Sequence, residues 1–151
     1  MRTLGNILWH IPFLGFVSAI TVYLLGLILT ATVVASPIGL GLLEFGIFLL
    51  WPFGNAMVNK KSLDIEQNSA WETYSKFVMI LYFPIGLALF VITICQVIVL
   101  FLSIIGIPVA LVIARSLGTY FNPINKKCVH HAVAEALANR KAKDAMTAAL
   151  N

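Results

Sequence analysis

The chain has 151 residues, 60% of them hydrophobic and 11% charged, with a formal net charge of +4. Soluble domains carry about 25% charged residues, which excludes an ordinary water-soluble globular protein, and two cysteines at different expected depths exclude a disulfide framework. Residues 7–34 and 77–114 contain no Asp, Glu, Lys or Arg, and each outruns the roughly 20 residues a helix needs to cross a bilayer core of about 30 Å.

In chain order, the first apolar run covers 7–35 and carries an early proline, Pro12, expected to kink it or to end its first turns. The run is too long for the 7–15-residue apolar core of a signal peptide, so it is read as a membrane helix. His10, beside Trp9, is read as an interfacial anchor. A turn is expected at Ser36-Pro37, because the residue before a proline avoids the α-region. A shorter apolar piece, 38–51, holds Gly39, Gly41 and Gly46, which let another helix approach closely. It ends at "WPFGN" (51–55), where Pro52 and Gly54 mark a cytoplasmic-face turn. The segment 59–76 is charged and connects to a second long run, 77–106, with its own early proline, Pro84. A turn at Gly106-Ile107-Pro108, a short piece 109–121 and a second cytoplasmic-face turn at Pro123 follow. The rest, 126–151, is basic and Ala-rich, a composition that favours helix. Trp51, Trp71 and Tyr74 read as an aromatic belt, and His130-His131 as a solvated helix start.

At an offset of 71 residues, Gly15 falls on Gly86, Pro37 on Pro108, Pro52 on Pro123 and Val58 on Val129. This points to an internal duplication: repeats over 1–58 and 77–125, a connector over 59–76 and a tail helix over 126–151. Each repeat is a long transmembrane helix plus a short one that either spans or re-enters, since fourteen helical residues reach only about 21 Å. The cations gather in the connector and the tail, whereas "VVASPIG" (33–39) and "SIIGIPV" (103–109) have no charge. The positive-inside rule then puts both termini and the connector in the cytoplasm, with the two halves related by an axis along the membrane normal.

The same offset places Glu44 on Arg115, the only strongly charged residues in the four membrane pieces. A charge near the bilayer centre costs about 2.5–3.5 kcal/mol or more. Two opposite charges at equivalent positions are expected to pair, within one chain or between subunits, with Arg gripping the carboxylate bidentately. The pair locks the halves together or lines a water-filled path. An Arg115 that snorkels independently is the third reading. Thr93, Gln96 and Ser103 are candidates for polar lining, although membrane Ser and Thr often bond their own backbone.

With these residues in view, the chain resembles the YccF family of small bacterial inner-membrane proteins, through "NILW" (6–9), "WPFGNAMV" (51–58) and "SIIGIPVALVIARS" (103–116). The resemblance covers roughly residues 4–129 and implies two related membrane halves in a bacterial inner membrane. "VASPIG" stands where a fuller "IIGIP" is expected, and "NPIN" replaces the second "PFG". The family brings no catalytic residues to carry over, and the chain has no nucleophile–base spacing, P-loop or HExxH motif. The expectation is therefore an all-α, multi-pass membrane protein that is not an enzyme, with no cofactor, metal or nucleic-acid partner. It is expected to assemble as a homo-oligomer in the lipid bilayer and to form an ion or small-solute pore. The alternative is a non-conducting scaffold whose basic tail takes anionic lipid or a cytoplasmic protein.

Overall fold

The terminal carbonyls of a helix have no partners within it, and a short N-terminal helix exists here largely to supply them. The computed structural model of the chain describes residues 2–11 and 13–149, so Pro12 lies outside the described residues. Helix α1 (Arg2–His10) is bent 79° from α2 (Gly15–Ala31). Its Trp9 Nε1 donates to the carbonyl of Leu49 at 2.9 Å, a His10 ring nitrogen meets the Leu50 carbonyl at 2.8 Å, and Asn6 accepts the Phe53 N–H at 3.1 Å. Both carbonyls belong to the last turn of α3 (Ser36–Leu50).

Helices α2 and α3 form a close hairpin because glycines face each other across it. Gly26 is buried, and a Cβ on it would stand 2.8 Å from the Leu43 nitrogen and 3.0 Å from the Gly39 carbonyl. Gly46 lies equally near Tyr23. The intervening turn places Val33 at φ 56°, a left-handed conformation unusual for a β-branched residue. Thr32 steadies it by donating to the Leu29 carbonyl at 2.7 Å. Ser36 and Pro37 do not form this turn; they open α3, where Pro37 occupies the first turn and its missing N–H leaves nothing unbonded. Gly106 and Pro108 open α5 (Ile107–Phe121) in the same way, after a 3-10 turn at Ile104–Gly106.

Helix α4 (Ser69–Leu102) begins where Asn68 accepts the Ala70 N–H, with Glu72 in its favourable first turn. It runs through Pro84 without ending, a tolerance common in membrane helices. Its 34 residues reach about 51 Å. Helix α4 and the stretch Ile104–Phe121 are long and apolar enough to cross a membrane, as are α1 and α2 taken as one bent span, whereas α3 is a shorter apolar helix.

The all-helical expectation misses a sheet. β1 (Asn55–Asn59) pairs antiparallel with β2 (Lys126–His130), with Met57 opposite Cys128. The tail helix therefore begins not at residue 126 but at His131, as α6 (His131–Ala149). Met57 and Cys128 both pack on the buried cluster of Trp9, Ala19, Phe45, Phe48, Leu49 and Val112. This inward anchoring keeps together a two-stranded ribbon that would be marginal in isolation. The turn before β2 buries Pro123 and Ile124 and lays the Pro123 carbonyl against Gly41. Pro52 and Gly54 are likewise buried before β1.

At an offset of 71, the bounds of α3 coincide with those of α5, and β1 with β2. The hairpin turns nevertheless point apart. Tyr74, near the start of α4, donates to the Val34 carbonyl at 2.7 Å, while Gly106 backs onto Leu100 near its end. The two contacts are separated by about 40 Å of helix. Most apolar side chains face outward, among them Leu102 (82% exposed) and Ile104 (85%), a surface that only lipid or another apolar partner can cover.

Gly26→Val is expected to destabilise the chain by about 1–3 kcal/mol through overpacking. Gly118→Ala, whose Cβ meets only the Lys126 ammonium at 3.7 Å, is expected to be neutral or to stabilise by about 0.5–1 kcal/mol. Thermal unfolding of both variants in the same detergent checks the contrast.

Candidate functional site

Glu44 lies on α3, three residues past Gly41 and facing β2. Its Oε2 accepts the Cys128 backbone N–H at 3.0 Å, and Oε1 meets the Lys127 ammonium at 3.5 Å. The carboxylate thus fastens a strand to a membrane helix. Arg115, at the matching place on α5, is exposed, and its guanidinium lies 5.4 Å from the centre of the Phe53 ring. The expected Glu44–Arg115 pair is therefore not formed within the chain. The physical reason is β2, which brings a backbone donor and an ammonium to Glu44 before any guanidinium reaches it.

The Glu44 carboxylate also acts on its neighbour. Burial first, and the nearby negative charge second, push the Cys128 thiol up to about 11, with Lys127 opposing.

A second constellation lies deeper in the apolar layer. A groove of about 500 Å³ runs between α2, α4 and α5, with Gln96, Ser18, Thr21 and Ser116 among walls that include Trp9 and Tyr120. The side chains of Gln96, Ser18 and Thr21 make no hydrogen bond among the described residues. Ser116 is buried and donates to its own helix at Ile113, 2.9 Å. Of the three lining candidates read from sequence, Gln96 lines this groove. Thr93 instead donates back to the Leu89 carbonyl at 2.6 Å, and Ser103 sits exposed beyond the end of α4. Sequence reading missed Ser18 and Thr21, whose signal was their three-residue spacing on one face of α2.

The turn residues serve packing. Gly39 lies against Thr30 and Gly26, and Pro123 against Gly41. At the tail, Arg140 pairs with Asp64 at 3.1 Å and Lys141 donates to Ser62 at 2.7 Å, so α6 is folded back over the connector.

Apolar helices of spanning length with outward-facing hydrophobic surface define an integral membrane protein. Residues 4–55 match the model of the YccF family, described as an inner membrane component domain. The match covers about a third of the chain, from α1 to the start of β1; it includes "NILW", and residues 103–116 lie beyond it. No curated protein and no solved structure matches the chain.

Glu44→Ala leaves the Cys128 N–H without its acceptor and is expected to cost about 1–3 kcal/mol. Arg115→Gln removes an exposed cation–π contact of about 0.5–1 kcal/mol. A double-mutant cycle between Glu44 and Arg115 should give a coupling near zero, and a large coupling would place the pair at a subunit interface. Separately, maleimide labelling of Cys128 at pH 8 should be roughly a hundredfold slower than for an ordinary thiol, because the reactive thiolate is scarce below its raised pKa. Labelling should accelerate as pH rises towards 11, and also in Glu44→Gln, which removes the secondary cause of the shift.

Proposed function

We propose that the protein is a non-enzymatic homo-oligomer of the bacterial inner membrane, in which grooves bearing Gln96 come together to line a path for ions or small solutes. The observation that carries this reading is the groove itself. An amide and two hydroxyls, all on exposed residues, have no partner among the described residues in an otherwise apolar layer, and leaving such groups in hydrocarbon costs several kcal/mol each. Water, or the matching groove of another subunit, removes that cost. We further read the chain as two repeats of one design, supported by the coincident bounds of α3 with α5 and of β1 with β2. The ribbon supports it too: the offset of 71 carries Asn55↔His130 onto Lys126↔Asn59, itself a pair, and leaves Met57↔Cys128 unchanged. Lys60, Lys61, Lys126 and Lys127 cluster on this ribbon and its flank, which supports a cytoplasmic face there.

In this reading Gln96, rather than Glu44, faces the path, and Glu44 keeps the closing ribbon seated. The alternative, a non-conducting scaffold, draws on that same clasp.

Ion flux through liposomes holding the purified protein tests the proposal. Wild type should exceed empty vesicles, Gln96→Leu should lower flux about tenfold or more without loss of stability, and bismaleimide should link subunits through Cys95, exposed beside Gln96. No flux for several monovalent and divalent ions from a size-checked oligomer would leave the scaffold.

A further inference from the structure

A pocket of about 480 Å³ opens where the connector, the start of α4 and the turn before β2 meet. Three lysines line it, Lys60 and the exposed Lys61 and Lys76, against two acidic residues, Glu66 and Glu72. Glu72 is already engaged by Lys76 at 3.0 Å and Lys61 at 3.6 Å. Lys60 has no ion pair among the described residues, and Glu66 is exposed. Ser75 also lines the pocket; it is wholly buried, and its hydroxyl has no hydrogen-bond partner among the described residues. A buried hydroxyl left unbonded is costly, so its place in a cationic pocket is an independent sign of a missing ligand with acceptor oxygens.

This pocket adjoins an apolar groove. Met79 and Asn122 line it and also line a second groove of about 250 Å³, whose other walls are Ile80, Tyr82, Phe83 and Phe121. On α4 the last charged residue is Lys76, and nothing charged follows until Arg115. The wall that the two cavities share, where Asn122 Nδ2 lies 3.0 Å from Met79 Sδ, thus falls at the boundary between water and hydrocarbon. A pocket with a formal excess of one positive charge, adjoining an apolar groove at that level, matches one phosphodiester carrying an acyl chain.

We propose that this is a binding site for a single glycerophospholipid, with its phosphate among Lys60, Lys61 and Lys76 and one acyl chain along Met79, Phe83 and Phe121. The site differs from the polar groove at Gln96 and from the basic tail helix. It rests on membrane insertion and not on conduction, so it stands or falls separately from the pore.

Native mass spectrometry of the full chain in detergent, titrated with dioleoyl-phosphatidylglycerol, tests it. One lipid per chain should bind saturably, while diacylglycerol and glycerol phosphate, which lack the phosphodiester or the acyl chains, should not displace it. Lys60→Glu and Phe83→Ala should each weaken binding about tenfold or more, whereas Lys143→Glu, the same charge reversal on the exposed tail, should leave it unchanged. Equal displacement by diacylglycerol would reduce the site to a non-specific greasy surface. Equal binding of glycerol phosphate would make the occupant a soluble phosphate. Retention of the lipid in both site variants would also overturn the proposal.

Discussion

The pairing of β1 with β2 is the contact on which the remaining architecture depends. It joins strands whose centres, Met57 and Cys128, lie 71 residues apart in the chain and pack side by side on the buried cluster. A ribbon this short has little stability of its own. It is held from beneath by that cluster and from the side by Glu44, whose carboxylate takes a backbone N–H of β2. At its ends, the backbone N–H of Lys60 donates to the Asn125 carbonyl at 2.9 Å and that of His131 to the Gly54 carbonyl at 3.0 Å. The placement of Pro123 against Gly41, the start of α6 and the pocket beside Ser75 all follow from where the ribbon sits.

The ribbon also removes a cost that the sequence implies. An acidic residue in an apolar helix is expensive when it faces lipid. Glu44 instead faces a polar layer made of the chain's own strands, where a charge-assisted hydrogen bond from a backbone donor is available. Arg115 solves its own problem differently, with its guanidinium over Phe53. Positions 71 residues apart on α3 and α5 thus differ in partner as well as in sign.

The molecule divides into a polar layer of ribbon, connector and α6, and an apolar layer of α2 to α5. The connector and α6 are tied together by Arg140–Asp64 and Lys141–Ser62, so the basic tail is occupied within the fold. Among the described residues, uncommitted polar groups include Lys60 and Ser75 at the seam and Gln96, Ser18 and Thr21 within the apolar layer, besides the buried His10 Nδ1. Uncommitted polar groups in such places are where ligands, water or other subunits lower the free energy.

Long uncharged runs were enough to place this chain in a membrane, because the requirement for about 20 apolar residues is local and one-dimensional. The short helices were legible too, although Ser36 and Pro37 open α3 and do not form the turn before it, because a proline fits the first turn of a helix. The five-residue strands were not: "NAMVN" and "KKCVH" carry no signal that tells them from loop or helix start, and their pairing is a long-range event. The partner of Glu44 was hidden for the same reason, as were the grooves, which are made by residues far apart in sequence. Charge, spacing and hydropathy determined what must be satisfied; only the tertiary structure decided by which group, because a hydrogen bond is chosen by distance in space and not by distance along the chain.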